Sequence, residues 1–193
     1  MLERYTRQLK NALETVDNDI LKDVLYELIR AMKYNTKIYT FGNGGSASIA
    51  DHWSCDHSKG VRQDASLSPR VDCLSNNMSL ITAIANDISY DEIFSKQIEM
   101  SDDISSVAIA ISSSGSSKNI IRGLEAARNK GWVTIAFVGF DGGTILKQDL
   151  ADYIIHVPYN NYGIVEDTHQ IIMHALAQEI RISNARSGAT LKL

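Results

Sequence analysis

Histidines and carboxylates recur at helical spacings in two parts of the sequence, and such residues bind metals or transfer protons. His52 and Asp56 are four residues apart in a helical stretch, so their side chains share one face. Such a pair is typical either of half a zinc site or of an exposed ion pair. His174 lies among apolar residues near the C-terminus, as does many a buried core histidine. The spacing therefore leaves both interpretations open.

A run of hydroxyl side chains, Ser112-Ser113-Ser114-Gly115-Ser116-Ser117, follows an apolar segment and leads into a helical stretch. Neutral hydroxyls at a helix N-terminus suit a phosphate monoester, because hydroxyl and backbone N–H groups donate to the anion and the helix dipole favours it. The alternatives are a helix cap or a serine-rich linker. A flexible linker does not suit the connection between two packed elements, so phosphate binding is the favoured interpretation.

A second polar loop, Gly42-Asn43-Gly44-Gly45-Ser46, also lies between an apolar segment and a helical stretch. Its glycines let the backbone approach a ligand closely, and the helix start offers free N–H groups to an anion. The loop matches neither the dinucleotide-binding fingerprint nor the P-loop. A tight strand-to-helix turn explains it equally well.

Five short apolar segments, rich in Val and Ile and largely without alternation, predict strands that are covered on both faces. These segments are 37–41, 70–74, 106–111, 133–138 and 153–157. Helical spacing predicts helices over 46–57, 91–100, 117–129 and 165–182. Strands that alternate with helices indicate right-handed crossovers and a parallel sheet.

We therefore expect an α/β fold, a three-layer sandwich with a five-stranded parallel sheet, formed by one domain over residues 1–193. Residues 1–35 predict an N-terminal helical hairpin, with a break and N-cap at Asp17-Asn18-Asp19. Residues 36–193 form the α/β core, which ends in a long helix. The crevice at the carboxyl ends of the strands is the expected ligand site.

Composition excludes several classes of function. The net charge of −4 argues against nucleic acid as the main ligand. The longest apolar runs are too short to span a bilayer, and no apolar region follows the charged N-terminus, so no signal peptide is expected. Two cysteines, Cys55 and Cys73, are too few for a disulfide framework and indicate reduced thiols in a cytoplasmic protein.

The chain resembles the sugar isomerase (SIS) domain family, and within it the phosphoheptose isomerases. The likeness covers nearly the whole chain and rests on four segments. These are the two polar loops described above and the segments Gly139-Phe140-Asp141-Gly142-Gly143 and Ala83-Ile84-Ala85-Asn86-Asp87. It implies a flavodoxin-like SIS fold, a homotetramer and a zinc ion. It also implies conversion of sedoheptulose 7-phosphate to D-glycero-D-manno-heptose 7-phosphate, for the heptose of surface polysaccharide.

The resemblance also implies roles for individual residues. The residues that it implies contact the sugar are Asn43, Gly44, Gly45, Asn86 and Asp87. The residues that it implies bind the phosphate are Ser112, Ser113, Ser114 and Ser117. The implied zinc ligands are His52, Asp56, Glu166 and His174.

Among those four, Asp56 is the expected base and His174 the opposing acid or base, and Asp56 and Glu166 are also expected to touch substrate. The family carries Glu and Gln where this chain has Asp56 and Glu166. Two carboxylates in place of one make a metal site more anionic, which lowers the Lewis acidity of the ion. His156 has no counterpart and is expected to be structural.

Glu166 and His174 are eight residues apart, about 12 Å along a helix axis. Two side chains on one straight helix would have to stretch fully to share one ion. Either Glu166 precedes the helix start, or one of the two comes from a neighbouring subunit. The second option predicts an obligate oligomer with sites at subunit contacts, which would also cover the apolar face of the N-terminal hairpin.

Two other classes compete with an enzyme. One is a non-catalytic SIS protein that binds phosphosugars or a protein partner, like the replication-initiator-associating members of the family. Such a module has no need of four convergent metal-binding or proton-transfer groups. The other is a sugar-sensing transcription regulator, but the first thirty-five residues contain no basic helix-turn-helix segment.

Overall fold

The computed structural model of the chain describes residues 1–187, and within them five strands form one parallel sheet in the order β2-β1-β3-β4-β5. All five predicted strands are confirmed, with bounds that shift by at most one residue. The strands are β1 (Lys37–Gly42), β2 (Arg70–Cys73), β3 (Ser106–Ser112), β4 (Val133–Gly139) and β5 (Tyr153–Val157).

Helices cover both faces of this sheet, as the three-layer prediction requires. One face carries α1 (Leu2–Glu14), α2 (Asn18–Lys33), α3 (Gly45–Cys55) and α9 (Tyr162–Ser183). The other carries α5 (Met78–Asp87), α6 (Ser95–Glu99), α7 (Lys118–Asn129) and α8 (Gly143–Lys147). A short turn of helix, α4 (Arg62–Asp64), follows in the chain after Asp56–Val61, the segment that separates it from α3.

The central strand β3 is buried along its whole length, and its side chains alternate between the two layers. Val107, Ile109 and Ile111 pack against the layer that contains α3 and α9. Ala108 and Ala110 pack against the layer that contains α7. The strand thus reads as a continuous apolar run because both of its faces are covered.

Strand order reverses between β1 and β3, which are neighbours in the sheet. The chain leaves β1 towards β2 on one side and leaves β3 towards β4 on the other, so the two loops diverge. A crevice opens at such a point, at the carboxyl ends of the strands. The glycine-rich loop after β1 and the serine loop after β3 both lie there.

The hairpin prediction is confirmed, with α2 capped by Asp17, whose carboxylate accepts from the backbone N–H of Asp19 at 2.8 Å. Val24 and Leu28 of α2 are fully buried in the core that α9 shares. The chain itself therefore covers part of the hairpin's apolar face, and that part needs no second subunit.

Other helix predictions need correction. The predicted helix 46–57 ends as an α-helix at Cys55 and continues as a π-helical turn, Asp56–Val61. The predicted helix 91–100 is divided into a 3₁₀ turn, Tyr90–Glu92, and α6, and the Ser89 hydroxyl caps the start of the 3₁₀ turn by accepting from the backbone N–H of Asp91. The sequence reasoning missed α5 and α8.

Among residues 1–187, no helix has both the length and the apolar composition needed to cross a membrane. Cys55 and Cys73 are both free thiols, as expected from their small number.

His169 anchors the middle of α9 against the sheet. Its ring is fully buried, lies edge-on to Phe137, and places Nε2 3.3 Å from the carbonyl oxygen of Val138. Burial lowers the pKa of His169 to about 4, the Val138 carbonyl opposes that shift, and nearby His156 adds to it. The folded protein therefore keeps this imidazole neutral at pH values where an unfolded chain protonates it.

We expect the free energy of unfolding to be highest above about pH 6.5 and to fall as the pH drops towards 4, because only the unfolded state takes up the His169 proton in that window. The variant His169→Phe removes this uptake and should flatten the slope by up to about 1 kcal/mol per pH unit. Urea unfolding of both proteins at pH 7, 6 and 5 measures the slopes. Equal slopes would contradict the assignment.

Candidate active site

Two helices that lie far apart in the sequence bring His52, Asp56 and His174 together. The Asp56 carboxylate lies 3.3 Å from Nε2 of His52 through one oxygen and 3.5 Å from Nε2 of His174 through the other. One potential ligand atom from each residue lies within 4.8 Å of the others. Two imidazoles and one carboxylate are a donor set that suits zinc, and all three groups are accessible to solvent. The cluster therefore fits the expected metal.

Asp56 owes its direction to the π-helical turn that begins with it. The next residue, His57, is fully buried, stacks on Trp53 with ring centroids 5.4 Å apart, and contacts the Trp53 carbonyl oxygen through Nδ1 at 3.0 Å. His57 is thus a packing residue. π-Helical turns are wider than α-helical ones and are frequent at functional sites.

Sequence reasoning missed the residue that lies between the two imidazoles. Gln170 of α9 places its amide nitrogen 2.9 Å from Nδ1 of His52 and 3.1 Å from Nε2 of His174. The available signal was that Gln170 lies four residues before His174 on a predicted helix, so the two side chains share one face.

Glu166 lies outside this cluster. It is on α9, which begins at Tyr162, so the option that Glu166 precedes the helix start is wrong. Its carboxylate lies so close to Gly45 that any side chain at that glycine would collide with it. Burial, and to a smaller extent the charge of Asp167, raises the pKa of Glu166. Within residues 1–187 of a single chain, Glu166 does not join the other three predicted zinc ligands.

Glu166 instead lines a cavity of about 140 Å³ at the crevice between β1 and β3. Hydroxyl groups dominate this cavity, which we call the serine pocket, and Tyr162, a residue that sequence reasoning also missed, lies at its edge. Its other lining residues are Asn43, Ser46, Ile111, Ser112, Ser113, Ser114 and Ser117.

The hydroxyls of the serine pocket are available to a ligand. The Ser113 hydroxyl is buried and finds no hydrogen-bond partner among the described residues. Ser117 is the N-cap residue of α7, but its side chain makes no capping hydrogen bond. The capping interpretation of this loop therefore does not account for Ser117, and the unpaired Ser113 hydroxyl can bond a polar ligand in the pocket that Ser113 lines.

The sequence pattern of the SIS domain matches residues 3–139. The chain belongs to the SIS domain family. A phosphoheptose isomerase of Alteromonas mediterranea is 33% identical over 174 residues, which cover 89% of this chain and 86% of that protein. A phosphoheptose isomerase of Shewanella sp. (strain ANA-3) is 35% identical over 188 residues, which cover 93% and 94%.

The solved structure of a phosphoheptose isomerase from Neisseria gonorrhoeae superposes with a TM-score of 0.81 at 27% identity, covering 93% of this chain and 94% of that one. The SIS fold expected from the resemblance is thereby confirmed. The relatives named here are isomerases, and this SIS protein is accordingly an enzyme of the isomerase class.

The predicted substrate residues of this SIS protein fall into two groups. Asn43 and Gly44 lie at the crevice, where Asn43 lines the serine pocket and both line the cavity beside it. Asn86 and Asp87 are exposed at the C-terminal end of α5, where their side chains bond to each other at 2.8 Å. Within the described chain these two residues do not line the serine pocket, and their role stays a prediction.

The two loops at the crevice are joined by a reciprocal amide pair. Asn43 donates to Asn119 at 2.9 Å, and Asn119 donates back to Asn43 at 2.9 Å. The Tyr90 hydroxyl adds a third contact by donating to the Asn43 oxygen at 3.1 Å. Asn119 is buried next to Ser117, so this pair sets the distance between the glycine-rich loop and the serine loop.

We expect Asn119→Ala to lower the free energy of unfolding by about 1–2 kcal/mol, because it removes both bonds of the pair and leaves the Asn43 amide group short of partners. Urea unfolding measures the change. Asn129→Ala, at the exposed end of the same helix, is the matched control and should change stability by about 0.5 kcal/mol or less. Equal effects of the two substitutions would show that the pair contributes nothing.

Proposed function

We propose that this SIS protein is a phosphoheptose isomerase that converts sedoheptulose 7-phosphate to D-glycero-D-manno-heptose 7-phosphate. The observation that carries the proposal is the arrangement along α9, where Glu166, Gln170 and His174 follow one another at four-residue spacing. Glu166, at one end of this row, lines the serine pocket, and His174, at the other end, belongs to the His52–Asp56–His174 cluster. The sequence identity to phosphoheptose isomerases supports sedoheptulose 7-phosphate as the substrate.

A phosphorylated sugar fits this row because its phosphate and its carbonyl group lie at opposite ends of the molecule. The serine pocket offers hydroxyls and the N-terminus of α7 to the phosphate. Binding there would hold the reacting carbons near the cluster from a distance, so that binding energy contributes to catalysis. Heptose for surface polysaccharide would be the use of the product.

The isomerisation needs one base, one acid and a stabiliser of negative charge. In the proposed first step, the Asp56 carboxylate takes the proton from C1 of the ketose. The electrons of the C–H bond form a C1–C2 double bond, and His174 gives a proton to the carbonyl oxygen on C2, which yields an enediol. In the second step, His174 takes the proton of the C1 hydroxyl, and Asp56 returns its proton to C2, which leaves an aldehyde at C1.

His52, Asp56 and His174 are the residues that would hold a zinc ion, with Glu166 joining them only from a different chain or after a rearrangement. When bound, zinc would supply Lewis-acid polarisation of the substrate oxygen in place of the His174 proton, because an imidazole nitrogen that binds a metal carries no proton. The two oxygens of Asp56 face different imidazoles, so one carboxylate orients both rings.

The proposal includes a homotetramer of single-domain chains in the cytoplasm, with active sites at subunit contacts. Asn86 and Asp87, which do not line the serine pocket of their own chain, would in this assembly contact the substrate of a neighbouring copy. The two free thiols support the reducing compartment.

The proposal is tested with sedoheptulose 7-phosphate and with five- and six-carbon ketose phosphates, by following aldose formation with NMR. We expect turnover of the seven-carbon substrate, and Asp56→Asn should lower the rate about a hundred-fold or more while leaving a folded protein that binds substrate. No turnover by the unaltered protein would contradict the function. A variant that keeps about a tenth of the rate would point to another base, with Glu166 the next candidate.

Ser112→Ala and Ser117→Ala should each weaken phosphosugar binding by about 1 kcal/mol or more, because each removes a donor to the charged phosphate. Titration calorimetry measures the affinity. Ser116→Ala is the matched control in the same loop, since Ser116 does not line the pocket and its hydroxyl accepts from the N–H of Thr144. Affinity that is unchanged in the first two variants would remove the serine pocket as the phosphate site.

A further inference from the structure

The three residues of the cluster and Gln170 form a closed ring of contacts. Asp56 contacts Nε2 of His52 at 3.3 Å and Nε2 of His174 at 3.5 Å. The Gln170 amide nitrogen contacts the other ring nitrogen of His52, Nδ1, at 2.9 Å and the same Nε2 of His174 at 3.1 Å. Both ring nitrogens of His52 therefore have a partner, and only the Nδ1 partner is uncharged.

An amide suits this place because it can serve the imidazole in either protonation pattern. Turned as described, the Gln170 NH₂ group donates to Nδ1 of His52 and to Nε2 of His174. A half-turn about the last side-chain bond replaces the NH₂ group with the carbonyl oxygen, which accepts a hydrogen bond instead. When His52 binds a metal through Nε2, Nδ1 carries the proton and needs such an acceptor.

We propose that Gln170 is the positioning residue of the metal centre, and this inference rests on the metal centre of the proposed function. Gln170 holds the Nδ1 side of His52, so that Nε2 faces Asp56 and His174 and the three ligand atoms converge. Without this contact only the Asp56 carboxylate and the edge-on His174 ring hold the half-exposed His52 ring, and nothing selects the proton position at Nδ1.

The surroundings of Gln170 agree with this role. Glu166, one helical turn earlier, is directed to the serine pocket instead. A neutral amide orients His52 without adding a second negative charge next to Asp56. The amide also contacts Nε2 of His174, which is the nitrogen that faces Asp56, so a metal bound at that nitrogen would leave the amide to His52.

The test compares two substitutions of similar size. Gln170→Met keeps the volume but cannot accept a hydrogen bond, and Gln170→Glu keeps an acceptor. Zinc affinity is measured by competition with a chelator. We expect Gln170→Met to bind zinc about 10–100-fold more weakly and Gln170→Glu to bind at least as tightly as the unaltered protein. Gln148→Met, at an exposed position that follows α8, is the control and should have no effect.

Nitrogen-15 NMR of the zinc-loaded protein provides a readout that a purely structural role would not move. The unaltered protein and Gln170→Glu should show the His52 tautomer with the proton on Nδ1 as the dominant form, and Gln170→Met should show loss of that single form. Urea unfolding should give the same stability for all metal-free variants.

The outcomes separate this inference from the proposed function. If Gln170→Met binds zinc as tightly as the unaltered protein does, the role of Gln170 is overturned, but the metal centre is not. Equal weakening in Gln170→Met and Gln170→Glu would also overturn it, because the acceptor would then be irrelevant. No zinc binding by the unaltered protein would overturn the metal centre and, with it, the positioning role.

Discussion

The reversal of strand order between β1 and β3 is the constraint on which the rest of the structure depends. The two strands are neighbours, yet the chain leaves them in opposite directions, so no connection crosses the end of the sheet between them. The crevice that results receives the glycine-rich loop from one side and the serine loop from the other. Asn43 and Asn119 tie the two loops together across it. The position of the crevice thus follows from the topology, and the hydroxyl side chains that line it decide which ligands it suits.

Helix α9 extends that crevice into a site with two ends. Its apolar face, with Ile172, Met173 and Leu176, is buried in the core that α3 also enters through Ile49 and Trp53. Burial of each such side chain stabilises the fold by about 1.5–3 kcal/mol, so the relative placement of the two helices is well determined. The polar face of α9 is then held along α3, which brings residues of both helices to one cluster. Packing of the apolar face thus positions the groups that do chemistry on the opposite face.

The chain departs at positions 56 and 166 from the pattern that the phosphoheptose isomerase resemblance implies. A shorter carboxylate stands at position 56 and an acid stands at position 166, where the raised pKa of Glu166 reflects its burial at the serine pocket. The amide that the resemblance implies at position 166 is replaced by an acid, and another amide, Gln170, occurs one turn later beside both imidazoles. The cluster therefore combines one carboxylate, two imidazoles and a neutral amide within a single chain. A second carboxylate is kept apart at the pocket.

The sequence by itself determined the layers of the fold and the two polar loops. Buried parallel strands must be apolar on both faces, so continuous runs such as that around Ile109 predict them directly, and spacing alone places His52 and Asp56 on one face of a helix. It predicted neither the π-helical turn at Asp56 nor the cap that starts α5, where the Asn77 side chain accepts from Leu80. Only the tertiary structure decided that Gln170 joins the cluster and that Glu166 lines the serine pocket. Gln170 and His52 are 118 residues apart, and helical periodicity states which residues share a face but not which other helix that face meets.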